Sequence, residues 1–532
     1  MKISALLSTF LLCAATALAQ PAPAAENPKA AAKAAFDEAR GLYSTDINAC
    51  VAALRGVIDR FPDYADAHLY YILYRNVAAT RTGTEEEKKA AGEKTAKETE
   101  ALYLQWAKEH PDKAAYQYAL GYVFDYKDPN RSVGYYEAAV KLDPKFGAAW
   151  DMLAIAAEEK GDLALNRALH RKAVDAEPDN ISLWRHLVGA WHEENIDHAV
   201  ELGMEMSKRF PDEAASIISY LATRARTVEK SREILELLRT KFAKASVGSL
   251  PSLFSIYLSS DRAQALALAQ EMVKLVPDNK VWPVLVAYAQ AVIDSDALIA
   301  QGKSAEVIAA LDKIVLPRYG VDRRMLDLTR AKALDGAAQT DKAYEGLLAG
   351  FIKSPNDEVQ AALRAYGKKL GKTVALVDAE VFARRAATAR RAVPFSLGNY
   401  ATGKQVSLDD FKGRVVMVNF WYPKCGPCRG EFPFLQSVLE KYQSRGFEIL
   451  AINGHEPEDE WVMPLIKGWK RGCIPLKGTE DVVKNYKVRG FPSNFLYGPD
   501  GKIYYEPPPV NGLAAQRELE MQIEALLAQA KS

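Results

Sequence analysis

The chain has 532 residues, 49% of them hydrophobic and 26% charged, with a net charge of +1. That length exceeds one ordinary domain, and the near-zero charge argues against nucleic acid as the main partner, because no surplus of cations is available to displace phosphate counterions. Five cysteines are too few for a disulfide-stapled scaffold, so the thiols point to chemistry instead.

Residues 1–19 have the pattern of a cleaved export signal. Lys2 supplies a short positive start, Leu6 to Leu12 an apolar stretch, and Ala17-Leu18-Ala19 a cleavage site before Gln20. The apolar stretch is too short to cross a bilayer, and no later run is expected to approach the ~20 residues a span needs. The mature chain is therefore expected to be periplasmic or otherwise extracytoplasmic. Cys13 leaves with the signal, which keeps Cys50, Cys425, Cys428 and Cys473. Cys50 and Cys473 either pair across domains or are buried, inert thiols, and the second reading is preferred. A Pro/Ala-rich segment, residues 20–33, is expected to be a flexible lead-in.

From residue 34 to 391 the chain is helix-rich, without alternating strand runs. Pro111, Pro144, Pro178 and Pro211 are spaced 33, 34 and 33 residues apart, and Pro277 follows at twice 33. Most are followed by aspartate, as in Pro62-Asp63, Pro111-Asp112, Pro178-Asp179, Pro211-Asp212 and Pro277-Asp278. Proline there stops one helix and aspartate helps start the next. Trp150 and Leu153 recur as Trp184 and Leu187, Ala139 and Ala173 sit five residues before the repeat's proline, and Gly161 marks a turn between paired helices. These residues resemble the tetratricopeptide repeat, whose period is about 34 residues. The pattern is clearest from Lys113 to Asp212 and fades around residues 226–260 and after Leu316. The resemblance implies an all-α superhelix with a concave groove able to hold a protein partner. Thr84-Glu85-Glu86-Glu87-Lys88-Lys89 is expected to be a solvated helix face or loop, and Tyr70, Tyr71, Tyr74, Tyr116, Tyr118, Tyr135 and Tyr136 mainly core.

Composition changes abruptly near Ala392. Short strands then alternate with helices: strands at 404–408, 414–420, 447–453, 493–497 and 502–505, helices at 428–442 and 513–530, and a hairpin turn at Gly498-Pro499-Asp500-Gly501. The dense apolar run Val415 to Trp421 leads directly into Tyr422-Pro423-Lys424-Cys425-Gly426-Pro427-Cys428. A buried strand delivering a Cys-x-x-Cys to the first turn of a helix is the arrangement of a redox-active dithiol.

Residues 392–532 resemble the thioredoxin superfamily, an α/β fold, and more narrowly its exported TlpA/ResA-like branch. The resemblance is carried by Pro394-Phe395, Gly403-Lys404, Leu408, Phe411-Lys412-Gly413, Asn419-Phe420-Trp421, Cys425-Gly426-Pro427-Cys428, Glu431-Phe432-Pro433 and Tyr486-x-Val488-x-Gly490-Phe491-Pro492. It implies thiol–disulfide exchange on protein substrates, with the reductive direction favoured by the Gly-Pro dipeptide. Cys425 attacks from the helix N-terminus, where the dipole favours a thiolate, and Cys428 resolves the mixed disulfide. Glu431 is expected to handle the proton, and Pro492 to be a cis-proline facing the dithiol. Trp421, Phe491 and Ser493 are expected near the substrate. No cofactor is needed, and a membrane-bound electron donor is implied by analogy. Asn419 stands where classical thioredoxins place an acid, which shifts proton handling towards Glu431. Lys424 replaces a tryptophan common among relatives, and its charge should favour the Cys425 thiolate if the two side chains approach.

Three other readings compete for the same residues. Zinc would need further ligands at suitable spacing, and His455 stands alone in a loop. A peroxidase of the peroxiredoxin type would need Thr or Ser three residues before its cysteine, where this chain has Tyr422. In the third reading the protein is a repeat-based binding scaffold whose thioredoxin-like domain serves assembly rather than turnover.

Overall fold

The computed structural model describes residues 28–529 apart from 126, 318–319, 456–458 and 469–471, so the export signal and the start of the lead-in lie outside the described residues. The chain divides into two compact units, Met1–Asp143 and Pro144–Ser532.

The first unit contains the helices Pro28–Gly41, Ile47–Arg60, Ala65–Thr80, Glu85–Glu109, Ala114–Phe124 and Pro129–Leu142. The first of these corrects the lead-in, since residues 28–33 are already helical. Pro28 opens the helix, where a missing N–H costs nothing, and the run of Ala and Lys behind it is strongly helix-forming. The charged stretch is the start of the helix Glu85–Glu109, fixed by a capping box between Thr84 and Glu87. Tyr71, Tyr74, Tyr116, Tyr118 and Tyr136 are buried, as their helical spacing suggested.

The second unit continues with helix pairs such as Gly147–Glu159 with Leu163–Ala176 and Ile181–Trp191 with Ile196–Met206, and runs on to Asp357–Lys369 with Val374–Ala386. Helical pairing persists where the sequence period fades, which is consistent with a helical repeat region. The recurring spacing has a visible cause. Trp150 Nε1 donates to the Pro144 carbonyl at 2.9 Å and Trp184 Nε1 to the Pro178 carbonyl at 2.8 Å. In the first unit His68 Nε2 lies 2.7 Å from the Pro62 carbonyl at the same offset. An aromatic ring six residues after the proline thus ties the proline's own carbonyl, in the turn between two helices, to the helix that follows. Gly161 takes φ +79° in the turn before Leu163, a backbone region where a side chain would be strained.

One expectation about apolar runs needs correcting. The helix Val281–Ala300 is 20 residues long and apolar enough, by length and composition, to cross a membrane. Its Trp282, Leu285, Tyr288, Ala289 and Val292 are fully buried in the core of the repeats.

After the last repeat helix the described residues form eight strands: β1 (Arg390–Arg391), β2 (Ser396–Gly398), β3 (Gln405–Ser407), β4 (Val415–Trp421), β5 (Phe447–Asn453), β6 (Ile474–Lys477), β7 (Ser493–Tyr497) and β8 (Lys502–Tyr505). Six of them make one sheet in the order β1-β8-β7-β4-β5-β6, and β2 pairs with β3. β4, β5 and β6 are mutually parallel, whereas β7 is antiparallel to β4, β8 to β7 and β1 to β8. Every residue of β4 and β5 is buried, because both faces of the sheet centre are covered, which explains why both are largely apolar, with Asn419, Glu448 and Asn453 as their buried polar residues. β1 begins two residues before Ala392, so the sheet takes its first strand from the arginine-rich end of the helical region.

The compact boundary falls at Asp143, inside the repeats rather than at their end. The helix Leu513–Gln529 explains why: its Met521 belongs to the same buried cluster as Phe351, Leu363 and Val377 of the last repeat helices. Phe382 stacks on Tyr504 at 5.4 Å, and Arg517 pairs with Asp357 at 2.7 Å.

Candidate functional site

β4 ends at Trp421, and the helix Gly426–Tyr442 begins five residues later with Pro427 in its first turn. Cys425 is the N-cap of that helix, and its Sγ accepts from the Cys428 N–H at 3.2 Å. Cys425 and Cys428 are joined as a disulfide with their Cα atoms 5.2 Å apart. The pair therefore sits among the unpaired N–H groups of a helix N-terminus, where negative charge is stabilised. Cys425 is only 3% exposed and Cys428 not at all.

One turn further on, Glu431 is buried at 1% exposure and is held by neutral donors. Asn419 Nδ2 donates to its Oε1 at 2.6 Å, while Asn494 Nδ2 and the Val510 N–H donate to Oε2 at 3.2 and 3.0 Å. Asn419 also donates to Asn494 Oδ1 at 2.7 Å. Burial pushes the Glu431 carboxyl up to about 7, against the opposing pull of these donors. Asn419, the residue in place of the acid, thus touches the glutamate expected to take over its task.

Phe491-Pro492 is a cis peptide bond, as the resemblance implied. β7 starts at Ser493, paired opposite Phe420, which puts Pro492 at the end of the sheet where β4 runs into the cysteine turn. Phe491 packs edge-on against Tyr422 at 5.2 Å and is half-buried. The Ser493 hydroxyl is turned to the Gly490 carbonyl at 2.7 Å. Trp421 is a correction to the expected substrate contacts. It is fully buried with its ring edge-on to Phe432 at 4.8 Å, so it offers no surface to a client.

Lys424 does not leave its charge to Cys425 alone: its Nζ lies 3.8 Å from Glu159 Oε1 at the end of the helix Gly147–Glu159. Arg429 forms an ion pair with Glu158. Arg224, at the end of the helix Pro211–Arg224, donates to the Gly430 carbonyl, and a Cβ at position 430 would collide with its guanidinium. The sequence reading missed Arg224, Glu158, Glu159, Arg429 and Asn494. Asn494 was within reach of it, one residue past Ser493 and opposite Asn419. The others had no local signal, being contacts between segments 206 and 271 residues apart.

Cys50 and Cys473 are both buried, in keeping with the preferred reading of them as core thiols. His455 lies against Tyr422, with ring centroids 5.5 Å apart. Asp151, His170 and His186 could offer three ligand atoms within 4.8 Å of one another. Their arrangement is accounted for by hydrogen bonds: Asp151 Oδ1 and Oδ2 lie 2.9 and 2.8 Å from the two Nδ1 atoms, and Asn166 Nδ2 is 3.1 Å from His170 Nε2.

Comparison with known proteins places this site. Residues 388–506 match the AhpC/TSA family model. The thiol-disulfide oxidoreductase ResA of Bacillus thuringiensis is 33% identical over 119 residues, 22% of this chain and 66% of that protein. The protein of the same name from Bacillus subtilis is 34% identical over 102 residues, 19% of this chain and 56% of that one. The chain thus spans less than two thirds of these relatives' length. Among solved structures, the thioredoxin domain of a thiol-disulfide oxidoreductase from Bacteroides vulgatus is 28% identical, covering 25% of this chain and 95% of that one at a TM-score of 0.23. The C-terminal part of the chain is an AhpC/TSA-type, thioredoxin-like domain with ResA homologues, preceded by a mostly helical region.

Proposed function

We propose that this protein is an exported thiol–disulfide oxidoreductase that acts, in the reducing direction, on protein disulfides, with the helical region recruiting a protein partner. The observation that carries the reading is the Cys425–Cys428 disulfide at a helix N-terminus, one turn from a buried glutamate poised near 7. In the reduced state the Cys425 thiolate attacks the client disulfide, forming a mixed disulfide and releasing one client thiolate. Cys428 then attacks Cys425, which closes the pair and releases the second. Two electrons pass from the dithiol to the client. Glu431 accepts the proton that Cys428 sheds, since a group poised near neutrality can hold or release it at ambient pH. Pro492 and Phe491 line the edge along which the client's backbone lies.

Residues 1–19 support export, and outside the cytosol the pair has to be recharged by a membrane-bound dithiol donor. The near-neutral chain has no role for nucleic acid. Dithiothreitol-driven insulin reduction by the full chain tests the reading. Turnover is expected in the wild type and none in Cys425→Ala, and an inactive wild type would overturn the reading. The alternative, a binding scaffold with a thioredoxin-like domain used for assembly, draws on the burial of Cys425. Under that alternative insulin stays intact while partner binding survives Cys425→Ala.

A further inference from the structure

The dithiol carries a cation on each side, and repeat carboxylates reach both. Lys424 precedes Cys425 and Arg429 follows Cys428. Lys424 meets Glu159 at 3.8 Å and Arg429 pairs with Glu158, the last two residues of the helix Gly147–Glu159. All four side chains are half-buried. A helix C-terminus bearing two carboxylates therefore abuts a helix N-terminus bearing two cations, so dipoles and charges agree in sign. The same helix packs against Asp459–Gly468 of the thioredoxin-like domain, and Arg226 lies over Phe434 at 4.7 Å. Cys425, which has to meet a client sulfur, is 3% exposed in this arrangement.

We propose that Glu158 and Glu159 form a displaceable acidic cover over the dithiol, and that the clients which lift it carry acidic residues beside their disulfide. This rests on the thiol–disulfide exchange proposed above. Lys424 and Arg429 have to keep an anionic partner when the cover leaves, because a half-buried cation stripped of its carboxylate loses both hydration and pairing. A client carboxylate supplies that partner, so displacement exchanges one set of partly exposed ion pairs for another, each weak enough to swap. A client with basic flanks meets the two cations with like charge and leaves the cover in place. No electrons move in this step. Exchange then proceeds as above, with an external dithiol recharging the pair.

The test uses the full chain, reduced with dithiothreitol and desalted, and two cystine peptides identical except for Glu or Lys on either side of the disulfide. The wild type is expected to reduce the Glu-flanked peptide roughly tenfold faster or more. Glu158→Gln/Glu159→Gln is expected to speed up on both peptides while keeping their order, and to raise the rate of Cys425 alkylation by neutral iodoacetamide. Equal wild-type rates on the two peptides would overturn the cover, as would variant rates matching the wild type. The peptide comparison needs no variant, so it stands even if the double substitution fails to fold. Failure on both peptides and on insulin alike would strike the exchange activity itself.

Discussion

Glu431 is a carboxyl whose proton affinity is set by burial, with three neutral donors on its oxygens. Its folded value of about 7 exceeds the ordinary 4.5, so the folded chain binds this proton more tightly than the unfolded chain does. The stability this contributes is whole below about 4.5 and is lost as pH rises through 7, by about 3 kcal/mol in all. Glu431→Gln removes the titration. In urea unfolding the wild type is expected to lose about 3 kcal/mol relative to the variant between pH 4 and pH 8. A difference that is the same at both pH values would contradict the raised carboxyl. This part of the site was legible in the sequence, because Asn419 in place of an acid and Glu431 one turn after Cys428 are local features. The environment of Glu431 was not, since Val510 and Asn494 reach it through the sheet.

At the scale of elements, legibility followed apolar density. β5, β7 and β8 have the bounds that their sequence suggested, and β4 and the cysteine helix lie within two residues of theirs. β6 was missed because its four residues include Pro475 and Lys477, and β2 because three residues carry no period. The helix Asp459–Gly468 was hidden by Pro464, and Glu480–Asn485 by its six-residue length. In the helical region the prolines told most, and Trp184 shows why, for it is buried and closes on the Pro178 carbonyl. Trp184→Phe keeps most of the packing and loses that bond, at a cost of about 1 kcal/mol. Trp184→Ala also opens a cavity and costs about 3–5 kcal/mol. Urea titration distinguishes the two, and an unchanged stability in Trp184→Phe would mean that the indole N–H plays no part in the anchor.

The whole molecule was the least legible, because nothing local announces that the last repeat helices and the thioredoxin-like domain share a core. The junction at Phe382–Tyr504, Met521 and Arg517–Asp357 makes them one compact unit. Phe382→Ala is therefore expected to cost about 2 kcal/mol and to lower the unfolding of repeats and redox domain together. A redox domain that unfolds at an unchanged midpoint would contradict a shared core. The central claim is that Cys425 of the intact chain exchanges with protein disulfides, and it is tested most directly by trapping. In Cys428→Ser the resolving thiol is gone, so the reduced full chain incubated with a disulfide-bonded protein should accumulate a covalent adduct through Cys425 that dithiothreitol releases. A full chain that is reduced at Cys425 yet forms no adduct would contradict the account.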